Sequence, residues 1–414
     1  MSDRVVKGEV VLEKVTFYTL LVFWASSAFS PALIEISFSI AFGCWLLNKF
    51  LHRSVLPRIS KWGIFWPLIG FVLICILSYF GSSYPGLSYR GIFKVLQQVM
   101  LFWMVADVFC AQKALNQFEK VFMALFAVMV IDGFVQYLFG HDFLRGYAPE
   151  ESSAGLRISA SFKSYGLLGA YLIMTIPVMA SLAVDNIKKK KSKAATAFFG
   201  ILVILGLVLL FMTRSRGCLL AFIIGLLAAL ILAKQWKWLT VIGALALAGF
   251  WVLPKGMIIH LDAEGKEQSL VERYYLWDRA IHVIQAAPLG GTGINTYAMA
   301  HGKYDKTRNK RVIGYYAHNG YLQMAAETGI PSLLLFLLFL ILYFSKALKG
   351  VLSRGHAKWF GVTTLRFGLL VGLFNFLIMA LIDTVLHNPQ PVMQFWFLMG
   401  IQWAYQNMAS ASEP

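Results

Sequence analysis

The sequence predicts an all-α polytopic membrane protein of about 12 transmembrane helices, with one large outer loop that itself contains helices between the ninth and tenth spans. Three observations predict it. Hydrophobic residues make up 58% of the 414 positions and charged residues 14%, with 33 Phe; such a composition suits lipid rather than a water-soluble core. Apolar stretches of about 20 residues recur, long enough to cross a hydrocarbon layer about 30 Å thick. Basic residues concentrate in alternate connections.

The spans fall near 15–31, 32–50, 63–80, 91–110, 115–139, 161–184, 195–213, 217–233, 239–253, 331–348, 363–384 and 390–407. Pro31 interrupts one continuous apolar run, so the first pair reads either as two spans or as one kinked helix. The third, "GIFWPLIGFVLICILSYF", the eighth and the tenth, "PSLLLFLLFLILYFSKAL", are almost free of charge. The first fourteen residues are charged and carry no apolar h-region, so no cleavable signal peptide is expected and the first apolar segment should serve as the insertion signal. No internal repeat is evident. The chain divides into an N-terminal bundle of about nine spans (1–253), the loop 254–330, and the C-terminal helices 331–414.

Orientation follows from the short loops. "NKFLHRSVLPRISK", "NIKKKKSK", "AKQWKW" and "KALKGVLSRGHAK" are basic and alternate with "SSYPGLSY" and "HNPQP", which puts both termini in the cytoplasm. The net charge of +17 is then largely a topology signal, and the lysine run 188–191 reads as an inner-leaflet anchor. Nucleic-acid binding is not expected. Cys44, Cys75, Cys110 and Cys218 lie in or at predicted helices without CxxC pairing and read as small apolar residues, with no disulfide or metal framework.

The loop 254–330 carries nine Lys/Arg, seven Asp/Glu and four His. Long loops escape the topology rule, so its positive charge points to an anionic ligand on the outer side. On a helical wheel begun at Arg273, Trp277, Ala280, Ile284 and Ala287 share its face, while Asp278, Arg279, His282 and Gln285 lie opposite. Arg273 thus heads an apolar stripe and either snorkels to water or enters an enclosed anion site; Arg279 reads as solvated surface. "APLGGTGINTY" is a Pro/Gly turn, weakly compatible with a phosphate cradle. Arg214 and Arg216 sit between two spans at the outer end, a costly place unless they are paired, functional or snorkelling.

Three stretches, "TRSRGCLLAF", "RYYLWDRAIHVIQAAPLGGTGINTY" and "AHNGYLQMAAETGIPSLLLF", together resemble the signature of the O-antigen ligase and polymerase superfamily, bacterial enzymes that move lipid-linked glycans in the periplasm. The resemblance covers roughly residues 200–345. "ISASFKSYGLLGAYL", preceded by Arg157, is similar to the family's upstream motif, and Pro331-Ser332 departs from its usual glycine pair or Gly-Leu. The resemblance implies transfer of a glycan from undecaprenyl pyrophosphate to an acceptor hydroxyl, on lipid A–core for the ligases, in the inner membrane, without metal or nucleotide cofactor. A polymerase joining repeat units on the carrier shares these motifs; compact length and the match around Arg216 favour a ligase. A lipid or glycan transporter would instead place its charges at the bilayer midplane.

Such a transfer needs a base for the acceptor hydroxyl and cations for the departing pyrophosphate. His318 is the candidate base. If Asn319 and Gly320 open a helix running to Gly329, the positive end of its dipole would favour the neutral imidazole. The alternative is a structural histidine at a loop–helix junction. The resemblance assigns Arg216 and Arg273 to the pyrophosphate, a task suited to the planar guanidinium fork. Arg214, Arg157, Lys163, Asn319, Glu327 and Asp383 are secondary candidates. Glu327 lies about 900° of helix rotation from His318 and reads as a capping or inter-helix contact rather than its orienting partner. Asp383 and His387, at the outer end of the eleventh span, could pair with basic site residues. The basic stretch 303–311 reads either as an acceptor-phosphate contact or as a solvated loop.

Overall fold

A computed structural model of the chain describes residues 2–51, 63–152, 155–188, 192–240, 268–304, 316–352 and 364–411. Among them the regular elements are helical: α1 (Ser2–Ser26), α2 (Pro31–Leu51), α3 (Phe65–Leu77), α4 (Pro85–Val108), α5 (Gln112–Phe139), α6 (Tyr165–Lys188), α7 (Lys193–Met212), α8 (Arg216–Leu232), α9 (Gln268–Ala286), α10 (Tyr297–Ala300), α11 (Gly320–Thr328), α12 (Ile330–Leu352), α13 (Thr364–Met379) and α14 (Pro389–Ala411). Among the described residues the only extended pairing is an isolated bridge between Glu150 and Arg157. Among the described residues six helices, α2, α4, α5, α6, α7 and α12, are long and apolar enough to cross a membrane. The chain is an all-α polytopic membrane protein. Each apolar segment read from the sequence coincides with a helix except the ninth, 239–253, nearly all of which lies outside the described residues.

Local chemistry sets the breaks. The Ser26 and Ser27 hydroxyls donate back to the carbonyls of Phe23 and Trp24, and Ser30 Oγ accepts from Leu33 N. Pro31, which has no N–H to offer, then opens α2 at a position where none is needed. The first apolar pair is therefore two helices packed along one another, not one kinked helix. Pro85 acts alike and starts α4 six residues before the predicted span 91–110, which brings Arg90 into the helix. Gly140, at φ 80°, ends α5 in the left-handed conformation that lacks a Cβ penalty. The predicted eleventh span, 363–384, stops at Met379; the Ala380 to Asp383 N–H groups bond back to Phe376, Ile378 and Met379 in turns, leaving Asp383 outside the helix.

α6 and α14 run through the centre, and α14 is buried along nearly its whole length. Trp24 is fully buried and packs on Phe118, Phe122 and Phe397. Apolar burial distinguishes little between lipid and protein, so close backbone approach and interhelical hydrogen bonds carry more of the packing. A Cβ at Gly372 would overlap the Met174 carbonyl, and one at Gly225 the Asn375 amide, whose Nδ2 donates to Ile173 O at 2.8 Å. These contacts lock α13 onto α6 and α8. The ends of α3 and α13 and the starts of α4, α6, α8 and α11 converge on the same side of the bundle as residues 288–304.

Candidate functional site

His318 stands immediately before the cap of α11. Asn319 Oδ1 accepts from Tyr321 N and Leu322 N, both at 3.0 Å, so its side chain is spent on capping rather than facing a ligand. Gly320 N donates to Ala380 O at 2.8 Å, and a Cβ at Gly320 would lie 3.1 Å from Leu386 Cδ1; α11 is thereby drawn onto the turn after α13. Trp277 Nε1 of α9 donates to His318 O at 3.3 Å. These ties hold His318 at φ 47°, a conformation a non-glycine residue adopts only when its surroundings demand it.

On the turn, Asp383 Oδ1 lies 3.2 Å from His318 Nδ1 and accepts from its neighbour Thr384 N at 2.7 Å. Burial alone would raise the Asp383 carboxyl. The His318 hydrogen bond and charge, the Thr384 N–H and the Arg273 guanidinium outweigh it and hold the carboxyl below the usual carboxylate range. An ionised Asp383 accepts from Nδ1–H and so fixes the tautomer in which Nε2 carries the lone pair.

Around this pair opens a cavity of about 510 Å³ whose walls include Arg157, Lys163, Arg214, Arg216 and Arg273. Arg216 is the first residue of α8, whose N-cap Ser215 accepts from Cys218 N at 3.4 Å, so the guanidinium and the positive helix terminus lie together. Arg214 adopts φ 50°, a second left-handed non-glycine residue in the site. Arg157 lies over the Tyr165 ring at 4.6 Å and pairs with Glu150 at 3.3 Å. Tyr165, Tyr316 and Thr384 also line the cavity; Tyr165 lies within the upstream motif and Tyr316 borders the third stretch, but an aromatic there gives no sign of which way it faces, and Thr384 carries no motif signal.

The burial of α9 reverses one expectation. Arg279 is 4% exposed, with Nη1 3.3 Å from His301 Nδ1, while Arg273 is half-buried at the cavity wall. The wheel ranked faces by apolarity alone. Ala280 and Val283 pack against Tyr297, Ala317 and Ala326, and these later segments cover the Arg279 side. Asp278 and His282, 3.5 Å apart, keep to the partly exposed side.

The glycine-rich turn is not a phosphate cradle. Gly291 N, Thr292 N and Gly293 N donate to Ala287, Ala326 and Glu327 carbonyls, and Ile294 N to Ser78 Oγ. Asn295 N and Tyr297 N donate to the Glu327 carboxylate at 2.7 and 3.2 Å. Those N–H groups are already satisfied within the protein. Gly291 has φ 64°, and a Cβ there would overlap the Glu327 backbone carbonyl, which explains the glycine. Glu327, 2% exposed, also accepts from Gln323 Nε2 and lies 3.4 Å from His387 Nε2. It braces the turn and His387, away from His318. Among the described residues no group of three His, Cys, Asp or Glu side chains is placed to hold a metal ion. Of the basic stretch 303–311 and the lysine run 188–191, all but Lys303, Tyr304 and Lys188 lies outside the described residues.

The cavity therefore collects cations for an anionic ligand beside an imidazole with a free ring nitrogen and a carboxylate behind it. Residues 201–337 match the family described as O-antigen ligase. The chain is also 24% identical over 342 residues to the exopolysaccharide production protein ExoQ of Rhizobium meliloti (strain 1021), an alignment covering 79% of this chain and 75% of that relative.

Proposed function

We propose that this chain, a member of the O-antigen ligase and polymerase superfamily, is an O-antigen ligase: a glycosyltransferase that moves a glycan from undecaprenyl pyrophosphate to a sugar hydroxyl of lipid A–core. The cavity that gathers five cations around the His318–Asp383 pair carries this reading. The site faces the periplasm of an inner-membrane protein whose termini are cytoplasmic. There the diphosphate sits at headgroup depth while the polyprenyl chain stays in lipid.

In this reaction His318 Nε2 takes the proton from the acceptor hydroxyl as its oxygen attacks the anomeric carbon of the donor sugar. The bond from that carbon to the diphosphate oxygen breaks, and its electron pair leaves with the diphosphate. Arg216 and Arg273 offer forked N–H donors to the phosphate oxygens as their charge grows. Asp383 holds the imidazole and offsets the positive charge it gains, while Arg157, Lys163 and Arg214 widen the positive field that draws the donor in. Attack from the face opposite the diphosphate inverts the anomeric centre.

One observation favours a second reading. The exopolysaccharide relative suggests a polymerase, in which the acceptor is another carrier-linked unit. Purified protein given carrier-linked glycan and lipid A–core tests both. Ligation requires glycosylated lipid A–core that disappears in His318→Ala; elongation on the carrier with lipid A–core untouched would replace the ligase by a polymerase.

A further inference from the structure

Outside the cationic cavity, two charges interrupt the outer half of a membrane-spanning helix. Arg90 and Lys94 lie one turn apart on the same face of α4, and both are exposed. Lys94 is nine residues into the helix, about 13 Å from its first residue at 1.5 Å per residue, and three residues inside the apolar span that begins at 91. Among the described residues neither makes an ion pair. Glu35 on the neighbouring α2 is held by Gln97 Nε2 at 2.8 Å. Exposed charge at the entrance of a membrane span is costly unless it is paired, snorkelling or functional.

The face leads somewhere. Lys94 forms part of the wall of a small cavity of about 70 Å³ bounded by Gly91, Asn295, Glu327, Leu386 and His387. His387 also lines the cationic cavity, so the two adjoin through one side chain. Gly91 is what lets the braced turn approach α4, because a Cβ there would stand 2.7 Å from Asn295 Cβ. Above, Lys303 lies 5.2 Å from the Tyr84 ring centre at the start of α4. Cations thus step from the outer surface down α4 and end beside the wall of the site, away from the arginines that suit the donor diphosphate.

A reaction between two lipid-borne substrates needs two lateral approaches. Resting on the transfer reading above, we propose that the Arg90–Lys94 face of α4 is the docking track for the phosphate-bearing glycolipid acceptor, its phosphates on the two cations and its sugar directed over His387 towards His318. Charge complementarity at headgroup depth selects the occupant, and exposed Tyr89 and Phe93, at 57% and 54%, flank the cations with apolar surface for acyl chains.

The full chain in phosphatidylcholine nanodiscs, with lipid A carrying a photoreactive acyl chain as the probe, tests this. Crosslinks should map to 85–108 and fall about tenfold in Arg90→Gln/Lys94→Gln, with rescue by Lys94→Arg. Unlabelled lipid A should compete, whereas phosphatidylglycerol, undecaprenyl phosphate and inorganic phosphate should not. Equal competition by any of the three would overturn the proposal, as would unchanged labelling in the double variant. In the transfer assay the same variant should raise the acceptor KM about tenfold with donor KM and kcat unchanged; a rise in donor KM alone would put the donor on this face and refute it. If wild-type protein transfers nothing yet labelling keeps its dependence on Arg90 and Lys94, the docking face stands and the transfer reading fails.

Discussion

Replacing Asp383 by Asn separates the charge behind His318 from the geometry around it. Oδ1 accepts both the Thr384 N–H at 2.7 Å and the His318 ring at 3.2 Å. In the amide, the Thr384 donor demands an oxygen at the same place, so Asn presents its carbonyl to His318 and keeps the tautomer. Only the charge is lost. Hydrogen bonds to charged groups contribute roughly 1.5–3 kcal/mol against roughly 0.5–1.5 for neutral pairs. The His318 side chain is 44% exposed, and solvent screening puts the difference near the lower end, about 1 kcal/mol. At about 1.4 kcal/mol per factor of ten, Asp383→Asn should slow single-turnover transfer roughly fivefold to tenfold at saturating substrates. Asp383→Ala strands both donors and frees the ring, and should cost on the order of a hundredfold, in the range for residues that orient a reacting group. Single-turnover assays on nanodisc-embedded protein measure both. An Asn variant as inactive as His318→Ala would make Asp383 itself the base, and full activity in both variants would remove the pair from the mechanism.

Arg273→Lys keeps the charge but loses the planar fork, and transfer should fall about a hundredfold; near-normal turnover would argue against forked phosphate binding. Gly225→Ala forces a methyl into the Asn375 amide and should lower stability by about 1–3 kcal/mol, read as a lower Tm in detergent, while an unchanged Tm would contradict the α8–α13 packing. Gly291→Ala adds a left-handed φ to an overlap with the Glu327 carbonyl and should impair folding more than Gly225→Ala, checked by the yield of monodisperse protein. Asp383 is held below the usual carboxylate range, whereas its unfolded value is about 3.9. The stability it contributes is therefore present above about pH 4 and is lost as pH falls through the lowered folded value. The difference in Tm between wild type and Asp383→Asn should shrink as pH falls below about 4; a difference that stayed constant there would refute the assignment.

The bundle was legible because apolar length and proline breaks are local signals, and these align the helices with the segments read from sequence. The residues read from the motifs also come together: Arg157, Lys163, Arg214, Arg216, Arg273, His318 and Asp383 all border one cavity. What the sequence could not reveal depends on contacts between distant segments. Arg279 read as surface because a wheel sees one helix, whereas Tyr297, Ala317 and Ala326 arrive from later in the chain to cover that side. The turn 290–297 resembles an anion cradle until its N–H groups are traced to Ala326, Ser78 and Glu327. Asn319 as the residue that opens α11, and Glu327 as an inter-segment contact rather than the partner of His318, were legible locally, but the turn that Glu327 braces was not. The link between His318 and Asp383 spans 65 positions and leaves no trace in periodicity.

The central claim is that two arginines grip a diphosphate beside a histidine aimed at the anomeric carbon. An electron cryomicroscopy structure of the His318→Ala variant with polyprenyl-diphosphate-linked glycan tests it most directly. The account predicts the diphosphate inside the cationic cavity within hydrogen-bond reach of Arg216 and Arg273, with the first sugar turned towards residue 318. A diphosphate bound elsewhere, or held without either arginine, would contradict it.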